Sequence, residues 1–192
     1  MNIHRLYVRT EGVICMALKH GSKKALLVID MLNDFILPEA PLRVPSAAGI
    51  IPFLQEKLKE MRSQRLPVIY ICDAHDTDDQ EFEYWPPHAM EGTRGAEVID
   101  SLAPEPGEVI IKKKRYSGFY QSGLDRTLKS LGVGHLMVTG VVSNICVLYT
   151  VADARSRGYQ VSVLRDGVAG LDPGDHAFAL KQMQEVLHAE IV

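Results

Sequence analysis

Six short apolar runs recur along this chain and alternate with longer segments of helical period. The runs are KALLVI, PVIYIC, EVII, HLMVTG, YQVSVL and AEIV, at positions 24–29, 67–72, 108–111, 135–140, 159–164 and 189–192. They are apolar throughout, as strands buried on both faces of a parallel sheet are, and helices must cover both faces. The pattern predicts an α/β fold: a three-layer α/β/α sandwich around a six-stranded, mainly parallel, Rossmann-like sheet.

Three helix boundaries can be predicted from capping residues. Ser46 is a candidate cap for the first long helix, which we expect over residues 46–65. A second helix is expected from near Asn144 to Gly158, and a last one begins where Asp172 precedes Pro173. These residues mark element ends and carry no functional prediction.

Composition limits the class of protein. A chain of 192 residues with 46% hydrophobic residues can bury one substantial core. We therefore expect a single domain over residues 23–192, preceded by an N-terminal extension of unknown role over residues 1–22. A net charge of -3 without a dense basic stripe argues against nucleic acid as a partner. No apolar run approaches the roughly 20 residues of a membrane span, so no membrane partner is expected.

The cysteines bear on the compartment. Cys15, Cys72 and Cys146 are odd in number and lack framework spacing. This usage is typical of free thiols in a reducing environment and predicts a cytoplasmic location.

Chemistry-bearing residues follow the ends of the apolar runs. They are Asp30, Cys72 with Asp73, the lysines at 112–114, Cys146 at the end of TGVVSNIC, and Arg165 with Asp166. In open parallel sheets the ligand site lies outside the carboxyl ends of the strands, so these residues are expected at one edge.

An acid, a lysine and a thiol at that edge would suit nucleophilic catalysis. Asp30 would take the thiol proton, a lysine would balance charge, and free amides at a helix start would favour a thiolate at Cys146. Each residue alone has a structural reading: a carboxylate cap, a solvated basic turn and an inert buried cysteine. Their coincidence favours the catalytic interpretation.

Residues 73–88, DAHDTDDQEFEYWPPH, gather two histidines, several carboxylates and a Trp-Pro-Pro. In D-x-H on an extended segment, both side chains point the same way, and nitrogen and oxygen donors suit zinc, manganese or iron. A metal site and an acidic surface loop remain equal alternatives on the residues alone.

An ordered set of motifs, from about Ala25 to the C-terminus, resembles the isochorismatase-like cysteine hydrolases and, within them, the nicotinamidases. The motifs are LLVIDMLNDF, DAH, WPPHAMEGTRGAE, KKRYSGF, GVVSNICV and DARSRGYQV. One departure is Ala89, because nicotinamidases often have cysteine after WPPH.

The resemblance implies a catalytic triad of Asp30, Lys113 and Cys146. Lys113 is chosen because it stands three residues before the tyrosine of YSGF, while Lys112 and Lys114 remain alternatives. It also implies a cis peptide between Val141 and Val142, with the amides of Val142 and Cys146 as an oxyanion hole.

For the loop, the resemblance implies one divalent metal ion, zinc foremost with manganese or iron as alternatives. Its ligands would be Asp73, His75 and His88, with Glu81 as a fourth. Phe35 and Trp85 match aromatic positions that flank the substrate ring in nicotinamidases, and Tyr116 is a further candidate for the lining, although ordinary packing is the alternative for Phe35 and Trp85.

The function that this resemblance implies is metal-dependent hydrolysis of nicotinamide, or a related small amide, to the acid and ammonia through a thioester. One alternative is another hydrolase of the superfamily, acting on a carbamoyl or ureido compound or on isochorismate. The other is a non-catalytic ligand-binding relative. Family members are often homodimers or homotetramers, and the sequence does not choose between them.

Overall fold

The computed structural model describes residues 21–192, so nearly all of the predicted N-terminal extension, with Cys15, lies outside the described residues. Six strands form one parallel sheet in the order β3-β2-β1-β4-β5-β6. They are β1 Lys23–Ile29, β2 Val68–Asp73, β3 Val109–Lys113, β4 Val133–Gly140, β5 Gln160–Val168 and β6 Glu190–Ile191.

Helices cover both faces of the sheet, as the continuous apolar runs predict. They are α1 Asn33–Ile36, α2 Ile51–Ser63, α3 Leu124–Ser130, α4 Leu148–Ser156 and α5 Pro173–Glu185. Short 3-10 turns occupy Pro45–Ile50, Gln80–Glu83, Arg94–Ala96 and Asp100–Leu102, and a π-helical turn, Ser143–Val147, precedes α4. The predicted three-layer sandwich is confirmed.

Alternate residues of the central strand β1 belong to two separate cores. Leu27 and Ile29 pack in the core that α3, α4 and α5 cover, and Leu26 and Val28 pack in the core that α1 and α2 cover. Since side chains alternate across a strand, an uninterrupted apolar strand is what two covered faces require.

Two of the three predicted helix boundaries are confirmed. Asp172 accepts hydrogen bonds from the N–H groups of Gly174 and Asp175, as an N-cap does. Gly158 follows α4 with φ +89°, the left-handed conformation that commonly ends a helix. The prediction of a helix cap at Ser46 was wrong. A 3-10 turn precedes α2, and the Ser46 hydroxyl donates instead to the carbonyl of Gly170 at 2.6 Å.

Strand β5 is longer than its apolar run. It continues to Val168, so Arg165 and Asp166 lie within the strand and not beyond its end. Their side chains are exposed. A prediction based on apolar residues therefore placed the end of the strand too early. Among the helices of the described part of the chain, none is long and apolar enough to cross a membrane.

Candidate active site

Strand register brings the candidate residues together at the carboxyl edge of the sheet. Asp73 at the end of β2 pairs with Lys113 at the end of β3, and Ile29 at the end of β1 pairs with Gly140 at the end of β4. Asp30 follows at once with φ +51°, a left-handed conformation that aspartate tolerates better than most residues.

Lys113 lies at the centre of a buried charged cluster. Its Nζ is 2.8 Å from Asp30 Oδ2, 2.5 Å from Asp73 Oδ1 and 3.4 Å from Cys146 Sγ. The other Asp30 oxygen, Oδ1, accepts the backbone N–H of Asp73 at 2.9 Å. Among the described residues, Oδ2 has no hydrogen-bond partner and is held only by its ion pair with Lys113. Oδ2 is therefore the candidate oxygen for accepting the thiol proton.

Burial and mutual charge set the protonation of this cluster. Burial, followed by the charge of Asp73, raises the pKa of Asp30 to about 6. Burial alone would lower the pKa of Lys113, but the two carboxylates outweigh it and raise that pKa well above its ordinary value. Burial also raises the pKa of the Cys146 thiol well above its ordinary value. Near pH 7 the cluster thus holds a lysine cation, two carboxylates and a neutral thiol.

The pleat of β3 separates the three adjacent lysines. Lys113 points into the cluster, with no exposed side-chain surface. Lys112 and Lys114 point to solvent and form ion pairs with Glu91 and Asp76, respectively. Of the three, Lys113 is the one that contacts the thiol.

The turn before Cys146 contains a cis peptide bond between Val141 and Val142, at the position the resemblance implies. The Val141 N–H donates to the Ile29 carbonyl, and the Ser143 N–H donates to the Ala169 carbonyl. These bonds fix the backbone on both sides of Val142. The oxyanion roles of the Val142 and Cys146 amides remain predictions.

Asp73, His75 and His88 form a second group beside the thiol cluster. One ligand atom from each lies within 4.8 Å of the others, and all three residues are buried. Asp73 belongs to both groups, because a carboxylate oxygen of Asp73 also lies within 4.8 Å of Cys146 Sγ and an oxygen of Asp30.

The donor chemistry of this second group fits a divalent metal ion. The Nδ1 atoms of His75 and His88 lie 3.1 Å from Asp79 Oδ2 and 2.8 Å from the Pro86 carbonyl. Both acceptors favour an N–H at Nδ1, which leaves the Nε2 lone pairs free. His75 Nε2 is buried without a hydrogen-bond partner among the described residues. Two imidazole nitrogens and a carboxylate are ligands that suit zinc, manganese or iron.

Glu81 lies on the 3-10 turn Gln80–Glu83, buried, but outside that close group of three. Burial, followed by the charge of Asp73, raises the pKa of its carboxyl group. Its Oε2 is 3.8 Å from the Arg115 guanidinium. Its role as a fourth ligand remains a prediction.

A cavity opens beside the thiol and contains about 380 Å³ of empty space, counted to its open mouth. Its walls combine aromatic, aliphatic and acidic side chains, from Phe35, Leu42, Asp73, Glu81, Trp85, Tyr116, Val142, Ile145, Cys146 and Leu171. The three aromatic residues singled out from the sequence are therefore all in the wall. The indole N–H of Trp85 donates to the Tyr116 hydroxyl at 3.1 Å, which fixes the two rings against each other.

Several residues of the site were not predicted from the sequence. Leu42, Ile145 and Leu171 are apolar residues that reach the cavity wall only through the fold. Asp34, next to the predicted Phe35, accepts the N–H of Ala89 at 2.8 Å and so anchors the chain just after His88. The NDF segment after β1 was the signal that could have pointed to it.

Comparison with known proteins identifies the family. The Isochorismatase domain matches residues 24–191. Among solved structures, N-carbamoylsarcosine amidase from Thermoplasma acidophilum is 36% identical, with a TM-score of 0.81, over 88% of this chain and 95% of that one.

Two further solved structures are similar over 88% of this chain. Nicotinamidase/pyrazinamidase PncA from Bacillus subtilis is 29% identical, with a TM-score of 0.84, over 99% of its chain. The pyrazinamidase of Pyrococcus horikoshii in complex with zinc is 32% identical, with a TM-score of 0.83, over 98% of its chain. The chain described here belongs to the isochorismatase family of hydrolases.

Proposed function

We propose that this protein is a cysteine amidohydrolase that converts nicotinamide, or a related small neutral heteroaromatic amide, to the acid and ammonia with the help of one divalent metal ion. The observation that carries the proposal is the position of Asp73 in both buried groups. It pairs with Lys113 in the thiol cluster and lies beside His75 and His88 in the other. Asp73 and the Cys146 thiol also face the same cavity.

The thiol cluster supports acyl transfer. Asp30, ionised near pH 7, takes the proton of Cys146 as the sulfur attacks the amide carbonyl. The Lys113 cation lies beside both groups and stabilises the negative charge as it moves from Asp30 to the sulfur. The Val142 and Cys146 amides are the candidate donors to the oxyanion.

Proton balance follows from the same residues. Asp30 returns its proton to the departing nitrogen, so that ammonia leaves and the acyl group stays on the sulfur as a thioester. Asp30 then removes a proton from water, which attacks the thioester, and the proton passes to the departing sulfur. The acid product leaves, and the free thiol is restored.

Asp73, His75 and His88 would hold the metal ion, with Glu81 as a fourth candidate ligand. When bound, the ion would supply a Lewis-acidic point able to hold a ring nitrogen of the substrate. The likeness to the zinc complex of a pyrazinamidase supports this part of the proposal. Zinc remains the first candidate.

The cavity wall favours a neutral aromatic substrate. Phe35, Trp85 and Tyr116 offer ring surfaces that suit a flat heterocycle. The described residues of the wall include two carboxylates, Asp73 and Glu81, but no lysine or arginine. A substrate that carries its own carboxylate would find no basic side chain there to pair with.

The second candidate function is hydrolysis of a carbamoyl compound. The 36% identity to N-carbamoylsarcosine amidase supports it. N-carbamoylsarcosine carries a carboxylate, and the described residues of the wall include no lysine or arginine to pair with it.

A substrate panel separates the two candidates. The purified protein, loaded with zinc, would be assayed for ammonia release from nicotinamide, pyrazinamide and N-carbamoylsarcosine, with Cys146→Ala as the blank. The proposal requires higher kcat/KM for the two ring amides. Turnover of N-carbamoylsarcosine alone would replace it with the second candidate.

A further inference from the structure

Asp79 is a buried carboxylate just outside the group of candidate metal ligands, and its side chain is only 4% exposed. Its Oδ2 lies 3.1 Å from His75 Nδ1. Its Oδ1 accepts the backbone N–H of Glu81 at 2.9 Å. The guanidinium of Arg115 lies 2.9 Å from Oδ1 and 3.2 Å from Oδ2. Both carboxylate oxygens are therefore engaged, and each contact has a separate consequence.

The contact with His75 determines which ring nitrogen carries the proton. An ionised carboxylate only accepts hydrogen bonds, so Nδ1 must be the protonated atom. In the neutral ring Nε2 then presents a lone pair, and it lies buried, 3.9 Å from Asp73 Oδ2, without a hydrogen-bond partner among the described residues. A buried, unpaired nitrogen aimed at a carboxylate and a second imidazole is what a metal ligand requires.

Arg115 keeps Asp79 in the charged form that this arrangement needs. It belongs to the loop after β3, whereas Asp79 belongs to the loop after β2. Its two contacts neutralise a carboxylate that would otherwise be buried with only neutral donors. The ion pair also ties together the loops that carry Tyr116 and His75.

We infer that Asp79 is a positioning residue for the metal site: it fixes the tautomer and ring orientation of His75, and Arg115 holds it in place. This inference rests on the metal site of the proposed function. Asp79 would touch neither substrate nor metal, and its effect would reach them through the His75 ring. Partners of this kind typically change metal affinity by about 10- to 100-fold when they are removed.

Asp79 has a second, structural task that the experiment must separate. It caps the 3-10 turn Gln80–Glu83 through the Glu81 N–H. Asp79→Ser keeps an oxygen able to make this cap, because serine is a good N-cap residue, but removes the oxygen that reaches His75. Asp79→Asn has a single side-chain oxygen: when this oxygen keeps the cap, the NH₂ group stands where Oδ2 was, and both the acceptor for His75 and the charge are lost. Asp76→Asn is the matched control, since Asp76 is an exposed carboxylate in the same loop that pairs with Lys114.

The measurement is the affinity of the metal-stripped, full-length protein for Zn²⁺ and Co²⁺, by competition with a chromogenic chelator. We expect about 10- to 100-fold weaker binding for both Asp79→Ser and Asp79→Asn and no change for Asp76→Asn. In the metal-free protein at alkaline pH, where the ring is neutral, ¹⁵N NMR of His75 should show a protonated Nδ1 in the wild type and a mixture of tautomers in Asp79→Ser. A loss of the cap alone would not change the tautomer. If the serine variant fails to fold, the same NMR measurement is made on Asp79→Asn.

Equal metal affinity in wild type and Asp79→Ser, with an unchanged His75 tautomer, would overturn the inference and leave the proposed amidase intact. An equal loss in Asp76→Asn would overturn it as well, because the effect would then be a general one of loop charge. A wild-type protein that binds neither ion would remove the inference together with the metal half of the proposed function. The dependence of ammonia release on Cys146 would still be a separate test of the proposed amidase activity.

Discussion

The Nζ of Lys113 and the Oδ1 of Asp73 lie 2.5 Å apart, and this buried ion pair joins the thiol cluster to the group of candidate metal ligands. The same ammonium also lies 2.8 Å from Asp30 Oδ2 and 3.4 Å from Cys146 Sγ. One cation thus compensates two buried carboxylates. Removal of this cation should therefore lower both the free energy of unfolding and the catalytic rate.

Lys113→Met should destabilise the protein by about 3–5 kcal/mol, because it leaves two like charges buried without a partner. Lys112→Met is the control, since Lys112 is exposed and its ion pair with Glu91 is a surface one. Urea unfolding followed by circular dichroism measures both. Equal, small changes in the two variants would show that the Lys113 cluster is not a compensated buried group.

Cys146→Ala and Cys146→Ser should each lose on the order of 10³-fold or more in kcat, because no other described thiol contacts Lys113. Serine should fail because a hydroxyl is far harder to deprotonate than a thiol. Cys72→Ala is the matched control, since this second buried thiol is assigned no catalytic role. Iodoacetamide inactivation that leaves Cys146 unlabelled in mass spectrometry would contradict the assignment.

The pH dependence of kcat/KM should report Asp30, whose pKa burial and the charge of Asp73 raise to about 6. Only the ionised form accepts the thiol proton. Activity should therefore be level above that pKa and should fall as the pH is lowered through it, approaching about tenfold per pH unit. The profile is measured at saturating metal, so that loss of the ion does not imitate the acid limb; the bound ion would offset the charge of Asp73, and burial would then be the main cause that raises this pKa. A rate that stays constant down to pH 4.5 would exclude Asp30 as the base.

His88→Ala should lower metal content and raise KM for nicotinamide. It should leave Cys146 reactive towards a small alkylating agent, because His88 belongs to the group of candidate metal ligands and not to the thiol cluster. His135→Ala is the control, since His135 bonds to Ser162 in the neighbouring strand. Metal analysis and alkylation kinetics are the two measurements. Full metal content in His88→Ala would remove this residue from the ligand set.

Apolar runs were sufficient to predict the sheet, because the inner strands β1, β2 and β4 are buried on both faces over most of their length and hence apolar, although the edge strands β3 and β6 are only partly buried. The same rule failed where exposure changes within an element. Arg165 and Asp166 are exposed residues inside β5, and the short helices α1 and α3 lack a long periodic pattern. Ser46 was a good cap by residue type, but the fold uses its hydroxyl for the distant carbonyl of Gly170.

The residues of the candidate site that lie in recognisable motifs could be predicted from the sequence. Strand ends and the family resemblance brought Asp30, Lys113 and Cys146 to one edge, where the structure indeed brings them into contact. Leu42, Leu171 and Asp79 could not be found in this way. Their places depend on loop packing between segments distant in sequence, which no local pattern records.

The most direct test of the account is ammonia release from nicotinamide by the purified protein, before and after treatment with a chelator and again after zinc is restored. Ammonia release should be abolished in Cys146→Ala and strongly reduced by the chelator. It should recover when zinc, manganese or iron is added. A metal-free protein that hydrolyses nicotinamide at full rate in chelator would contradict the metal site. A metal-loaded protein that releases no ammonia from any small ring amide would contradict the proposed function itself.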